Sequence, residues 1–121
     1  MGYGGISKSS ELLLLSDVNE SIKPVTRYST GTLDSVLGGG LVSDSVTMLV
    51  GPPGIGKSTL SLQIAAALSQ QDLKVLYIAG EETAAQIKAR ATRLNADCSK
   101  VYVLQSCDIA KIAQTIKKLA P

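Results

Sequence analysis

The sequence contains no histidine, no phenylalanine and no tryptophan, and it has only two cysteines, Cys98 and Cys107. Because no histidine is available to complete a ligand set, we do not expect the two thiols to bind a metal. We interpret both as small, buried or half-buried apolar residues of a reduced, intracellular protein. Aromatic residues make up 3% of the chain and hydrophobic residues 45%, so the core must consist of leucine, isoleucine, valine and alanine.

Long apolar runs and a strong charge of one sign are also missing from the 121 residues. No apolar run reaches the roughly 18 residues that a membrane-spanning helix needs. The run Leu12–Leu15 is too short for the core of a signal peptide. The net charge of +2 is too weak to indicate nucleic-acid binding by itself. We expect one small cytoplasmic domain without a membrane partner.

The segment from Gly51 to Ser58 reads GPPGIGKS and fits the Walker A pattern G-x-x-x-x-G-K-[ST], which binds phosphate. Its glycines allow positive φ and close approach to a ligand, so the loop N–H groups and the following helix N-terminus form an anion site. Lys57 supplies a full charge for the terminal phosphates of ATP, and Ser58 offers a hydroxyl to Mg²⁺. A plain turn, the alternative, leaves Lys57 and Ser58 unexplained. The candidate nucleotide-binding residues of the pattern are Gly51, Pro52, Pro53, Gly54, Ile55, Gly56, Lys57 and Ser58.

Apolar, β-branched runs alternate with amphipathic segments along the rest of the chain. This order predicts an α/β fold, with a parallel sheet covered by helices on both faces and the phosphate loop at the carboxyl ends of the strands. The predicted strands are Val46–Val50, Lys74–Ala79 and Val101–Leu104.

Three helices are expected, each with one apolar face. The first runs from Ser58 to Gln71, the second follows a capping box formed by Thr83 and Gln86, and the third follows Asp108 as N-cap. The residues expected on the apolar faces are Leu60, Ile64, Ala65 and Leu68, then Ile87, Ala91 and Leu94, then Ile109, Ile112, Ile116 and Leu119.

Residues 1–28 are interpreted as an N-terminal extension that is partly disordered, because its first ten residues are rich in glycine and serine. The leucines of its second part, Leu12–Pro24, either pack on the core as an arm or contact another subunit. The alternative is a lead-in segment that packs on the surface. Further on, Leu33, Val36 and Leu37 have the spacing of about one helical turn, which three glycines then end.

Two adjacent carboxylates, Glu81 and Glu82, follow directly after the predicted second strand. A parallel sheet places them at the same edge as the phosphate loop, where a carboxylate could orient or deprotonate a water that attacks the γ-phosphate. The alternative is a solvated loop near a helix start. Because neighbouring side chains point in different directions, we expect at most one of the two to face the nucleotide.

These motifs together resemble one family. The residues Ser29-Thr30-Gly31 with Leu33-Asp34, the run VLGGGL, the loop GPPGIGKSTL, the turn GEE and the run AAQIK resemble the RecA-fold ATPase core of bacterial RadA (Sms). The resemblance extends from about Arg27 to Pro121. The broader RecA-like group, with KaiC-type and replicative-helicase ATPases, shares the loop and a glutamate after the second strand.

The resemblance implies an ATP- and Mg²⁺-dependent factor of DNA repair and recombination that forms homo-oligomeric rings, binds single-stranded or branched DNA and drives branch migration. It implies that Lys57 and Ser58 contact phosphate and Mg²⁺, that Thr59 supports the site, and that Glu81 is the water-orienting catalytic carboxylate. Arg90 becomes a candidate for contacting the base or a phosphate, with a solvated helix face as the alternative.

The sequence also departs from this family. The four-cysteine zinc module, the DNA-interacting loops and the protease-like domain are not present, and the chain stops at Pro121, where the strand with the Walker B aspartate is expected next. We therefore expect residues 29–121 to be the first half of a RecA-like ATPase domain, with Walker A and without Walker B. The open alternative is a nucleotide-binding or oligomerisation module of a KaiC-type or replicative-helicase-type ATPase, inactive by itself. A small P-loop kinase is disfavoured because the sequence after Glu82 enters a helix directly.

Overall fold

The computed structural model describes residues 12–19 and 24–121 of the chain. The disorder predicted for the first ten residues lies outside the described residues. After a short 3-10 turn at Leu15–Asp17, the elements are β1 Arg27–Tyr28, β2 Leu41–Val42, α1 Lys57–Ser69, β3 Val75–Ala79, α2 Ala84–Arg93, β4 Val101–Gln105 and α3 Ile109–Leu119. In the part of the chain that the structure describes, no helix is long and apolar enough to cross a membrane.

The centre of the fold is the parallel pair of β3 and β4, with Val75 opposite Val101. Because side chains alternate along a strand, Tyr77 lies on one face of this sheet and Leu76 on the other. Helices α1 and α2 cover the first face, where a core cluster contains Leu62, Ala79, Ile87 and Ala91, with Tyr77, Leu94 and Cys98 packed against it.

Helix α3 lies along the opposite face. Its residues Thr115 and Leu119 line a shallow cleft together with Leu76 and Leu104 of the two strands, and Lys74 Nζ donates to the carbonyl of Leu119 at 3.1 Å. The predicted fold class, an α/β fold with helices on both faces of a parallel sheet, is confirmed.

A small antiparallel ladder that the sequence did not reveal precedes the phosphate loop. Its strands β1 and β2 pair Arg27 with Val42 and Tyr28 with Leu41. Between them, Asp34 accepts hydrogen bonds from Ser29 Oγ at 2.5 Å and from the N–H and hydroxyl of Thr30 at 2.6 and 2.8 Å. These hydrogen bonds lower the pKa of Asp34 below its ordinary value. The bond from Ser29 has the largest effect, followed by those from Thr30.

The predicted strand at Val46–Val50 is wrong for the described residues. The segment has no strand assignment, and Val46 and Met48 are 100% and 83% exposed. A β-ladder needs a neighbouring backbone, and the ladders of the described chain pair β1 with β2 and β3 with β4. An apolar run therefore indicates that a segment can be buried, but it does not indicate whether a neighbouring strand is present to pair with it.

The buried face of α1 also differs from the expectation. Leu60, Ile64 and Leu68 are only half-buried, whereas Leu62, Ala65, Ala66 and Ser69 are buried. Apolar residues surround most of this helix, so their spacing does not single out one face. Three of these four buried residues, Ala65, Ala66 and Ser69, have small side chains, and Leu62 is the large one.

The N-terminal leucines do not pack on the core as an arm. Residues Leu12 to Leu15 are between 62% and 100% exposed. Contact with another subunit, the second interpretation of this segment, stays a prediction.

Candidate nucleotide-binding site

The phosphate loop joins the segment before it to α1 through two glycines in the left-handed region. Gly54 has φ of +80° and Gly56 has φ of +100°, values that residues with a Cβ rarely adopt. A Cβ built on either glycine meets nothing within 4 Å. The backbone conformation thus requires glycine here, and the space beside the loop is open to a ligand.

The start of α1 leaves its first N–H groups without a side-chain cap. Gly56 occupies the N-cap position and offers no side chain, whereas Thr83 and Asp108 cap α2 and α3 with hydrogen bonds. The first intrahelical bond at this end runs from the Leu60 N–H to the Gly56 carbonyl at 2.9 Å. The preceding N–H groups have no acceptor within the helix, and the helix dipole favours an anion beside them.

Lys57 bends back over the loop. Its Nζ donates a hydrogen bond to the carbonyl of Gly51, while its own carbonyl accepts from the Ser61 hydroxyl at 2.9 Å. Gly51 itself is closely approached, because a Cβ there would lie 3.0 Å from Cγ2 of Ile55. The Lys57 ammonium group is thus held beside the loop, where an anion can replace the Gly51 carbonyl as its hydrogen-bond partner.

The carboxyl ends of β3 and β4 hold the acidic turn near this loop. The Ser106 N–H donates to the Ala79 carbonyl at 3.1 Å, and the Ala84 N–H donates to Oε1 of Gln105 at 2.8 Å. The first bond connects the loop after β4 to the end of β3, and the second connects the start of α2 to the end of β4. As a result, Glu81 and Glu82 line a cleft of about 390 Å³ together with Ser58.

The predicted start of α2 is confirmed in detail. Thr83 Oγ1 accepts from the Gln86 N–H at 3.2 Å, and the Thr83 N–H donates to Oε1 of Gln86 at 2.9 Å. This reciprocal capping box fixes the turn that carries the two glutamates. Asp108 likewise caps α3, through bonds from Ala110 and Lys111.

The two cysteines differ from each other. Cys98 is half-buried, as expected, but Cys107 is exposed. Cys107 lies in the loop after β4, where its thiol donates to the Gly80 carbonyl at 3.0 Å. The thiol therefore supports the glutamate turn instead of the core.

The two glutamates occupy different environments. Glu81 is exposed and Glu82 is half-buried. Glu82 forms a two-point ion pair with Arg90, in which Nη1 donates to Oε1 at 3.2 Å and Nη2 contacts Oε2. The hydrogen bond with Glu82 raises the pKa of Arg90 above its ordinary value. Burial, followed by the charge of Glu82, raises the pKa of the neighbouring Tyr77 phenol.

Arg90 reaches the phosphate loop itself. It lines a cleft of about 260 Å³ together with Gly54, Gly56, Lys57, Ser58 and Thr59. The solvated helix face that the sequence left open is therefore wrong for Arg90. Its position could have been foreseen, because Arg90 follows the cap residue Thr83 by seven residues, or about two helical turns, and so lies on the same side of α2 as the preceding turn.

The structure thus gathers the sequence-predicted residues around one open edge of the sheet. One cleft is lined by Gly54, Gly56, Lys57, Ser58, Thr59 and Arg90, and the other by Ser58 and Glu81 among others, so the two meet at Ser58. The predicted loop residues Gly51, Pro52, Pro53 and Ile55 line neither cleft. Glycine backbone, an uncapped helix start and two cations form a site for a polyanion.

Comparison with known proteins identifies the family of this chain. A family model described as "ATPase: KaiC" matches residues 28–119. The chain belongs to this ATPase family. The matched range includes the phosphate loop, the acidic turn and α2.

Curated relatives extend the comparison. DNA repair protein RadA of Campylobacter jejuni is 46% identical over 113 residues, which are 92% of this chain and 25% of that protein. RadA of Bacillus subtilis is 40% identical over 107 residues, 88% of this chain and 23% of that protein. RadA of Mycolicibacterium smegmatis is 46% identical over 105 residues, 84% of this chain and 22% of that protein. The resemblance to RadA is confirmed, and the chain spans about a quarter of the length of these relatives.

Proposed function

We propose that this chain binds ATP with Mg²⁺ at the loop Gly51–Ser58, as the nucleotide-binding segment of a RadA-like ATPase that acts in recombinational DNA repair. The observation that carries the proposal is the uncapped start of α1 behind two left-handed glycines, with Lys57 beside it. N–H groups at a helix start with a lysine ammonium beside them are suited to the negative charge of a nucleotide's phosphates. The membership in an ATPase family supports ATP as the ligand.

Each residue of the loop has a definite part in this proposal. The N–H groups at the start of α1 bind phosphate oxygens, and Lys57 leaves the Gly51 carbonyl to pair with the terminal phosphates. The Ser58 hydroxyl binds Mg²⁺, which neutralises charge on the same phosphates when it is present. Thr59 supports the loop from the next position of the helix.

Glu81 is the proposed water-orienting carboxylate. Its exposure and its place in the cleft that Ser58 also lines support this role. The neighbouring Glu82 is engaged by Arg90, whereas Glu81 has no hydrogen bond or ion pair to any residue that the structure describes. A general base must reach the attacking water within hydrogen-bond distance.

The DNA-related part of the proposal rests on the RadA relatives alone. A ring of subunits that binds single-stranded or branched DNA and drives branch migration agrees with their name, DNA repair protein. The net charge of +2 and the low content of aromatic residues do not by themselves indicate DNA binding.

A second candidate is a module that binds nucleotide, or contacts another subunit, without hydrolysis. Calorimetry with ATP and Mg²⁺, run in parallel with a phosphate-release assay with and without single-stranded DNA, separates the two. Release of phosphate that rises with DNA supports the ATPase, and binding without release supports the nucleotide-binding module. Absence of ATP binding contradicts both of these and leaves only a module that contacts another subunit.

Replacement of Glu81 tests its role. In the RadA-like ATPase proposed above, Glu81→Gln is expected to slow phosphate release by about 10²–10⁴-fold and to leave ATP affinity nearly unchanged, because only the proton acceptor is lost. The control Asp72→Asn, in the turn after the far end of α1, should change neither quantity. Normal release by Glu81→Gln contradicts the assignment.

A further inference from the structure

The ion pair of Glu82 and Arg90 has a geometry suited to holding a guanidinium group in place. Both guanidinium nitrogens Nη1 and Nη2 contact the carboxylate, one oxygen each. The side chains are 20% exposed for Arg90 and 30% exposed for Glu82. Two-point contact with a planar carboxylate fixes the plane of the guanidinium as well as its position.

This pair lies where the two clefts of the site meet. Glu82 lines one cleft together with Ser58, and Arg90 lines the other together with Lys57 and the loop glycines. A cation in this position adds to the charge of Lys57 on the open side of the phosphate loop. Its carboxylate partner offsets the repulsion between the two cations while no anion is bound.

We propose that Arg90 binds a phosphate group of the nucleotide and that Glu82 is the positioning residue that aims its guanidinium at the loop. The proposal rests on the proposed function of the loop and adds two residues to it. A guanidinium has five N–H donors, and the carboxylate contacts only the two terminal nitrogens, one each. The remaining donors can therefore serve a phosphate while the ion pair stays intact.

Phosphate is favoured over the base as the partner of Arg90. The residues that share its cleft belong to the phosphate loop and the start of α1, and none of them is aromatic or large and apolar, as a base platform would be. The hydrogen bond with Glu82 also raises the pKa of Arg90, and an arginine side chain is positively charged in proteins.

Arg90→Ala tests the phosphate contact directly. Displacement of a fluorescent ATP analogue measures the affinities for ATP, for GTP and for inorganic tripolyphosphate. We expect a loss on the order of tenfold or more for all three, the range of a charge-assisted hydrogen bond. Arg93→Ala, an exposed arginine in the last turn of the same helix, should lose less than about twofold, the level of an exposed charge.

The outcomes of this test are distinct. An equal loss for the three ligands supports the proposal, and so does partial recovery by Arg90→Lys, which keeps the charge. A loss for ATP that tripolyphosphate does not share assigns Arg90 to the base and overturns the proposal, as does unchanged affinity. Because a partly exposed ion pair adds little stability, Arg90→Ala should fold. Arg90→Gln replaces it if thermal unfolding shows that it does not.

A double-mutant cycle tests the role of Glu82. If Glu82 acts through Arg90, the variant carrying Glu82→Gln and Arg90→Ala together binds tripolyphosphate as Arg90→Ala does. Additive effects of the two replacements contradict a positioning role. Lys57→Ala separates this inference from the proposed function, since loss of binding by Lys57→Ala with normal binding by Arg90→Ala overturns only the role of Arg90.

Discussion

At the scale of single residues, the site depends on backbone conformation as much as on charge. Gly54 and Gly56 take φ values of +80° and +100° with open space beside them. The Walker A pattern fixes Gly56 as glycine, whereas Gly54 stands at one of its variable positions, so the pattern by itself indicated only Gly56. The ion pair of Glu82 and Arg90 was not predicted, although the spacing of Arg90 from Thr83 places it on the side of α2 that faces the turn with Glu82.

Gly56→Ala tests the backbone requirement. A Cβ in the left-handed region costs roughly 1–2 kcal/mol, so we expect lower stability in urea together with weaker ATP binding, because the N–H groups at the start of α1 move. Ala113→Gly in the exposed middle of α3 should cost a similar amount, about 0.5–1 kcal/mol, and leave ATP affinity unchanged. Equal ATP affinity of Gly56→Ala and the wild type contradicts the prediction.

At the scale of elements, the sequence predicted those whose signals are local. Both caps, Thr83 and Asp108, and the parallel strands β3 and β4 appear where the pattern predicted them, within one residue. Strand pairing was harder to predict from the sequence. Strands β1 and β2 have two residues each, which is too short to show a period. The segment Val46–Val50 has the composition of a strand but is not paired within the described residues.

The two caps give a matched pair of variants. Thr83→Ala and Asp108→Ala should each lower the free energy of unfolding by about 1 kcal/mol, since each removes an N-cap. Only Thr83→Ala should also weaken ATP binding, because it releases the turn that carries Glu82. Chemical denaturation and ligand displacement measure the two quantities. An equal effect of both variants on ATP binding would show that the turn is not part of the site.

At the scale of the whole molecule, one face of the sheet of β3 and β4 is covered by α1 and α2, whereas other segments of the chain expose apolar side chains. It matches about a quarter of the length of its RadA relatives, and Val46–Val50 and Leu12–Leu15 carry exposed apolar side chains. Exposed apolar segments with unpaired backbone promote association of chains. Composition and pattern predicted the fold class, and only the three-dimensional arrangement showed which apolar segments lack cover.

Met48→Lys tests this association. A charge in the middle of the exposed segment should lower the average mass in solution, measured by light scattering after size-exclusion chromatography, because a lysine opposes strand pairing. The variant Ala113→Lys, at an exposed position of α3, serves as a control for the added charge. An unchanged mass for Met48→Lys places the association elsewhere.

The central claim is that the loop at the start of α1 binds the phosphates of ATP. Calorimetric titration of the wild type, Lys57→Ala and Lys111→Ala with ATP and Mg²⁺ tests it most directly. We predict saturable binding by the wild type and by Lys111→Ala, an exposed helical lysine, and a loss on the order of tenfold or more for Lys57→Ala, since a charge-assisted contact is removed. Equal affinities of Lys57→Ala and the wild type would contradict the account.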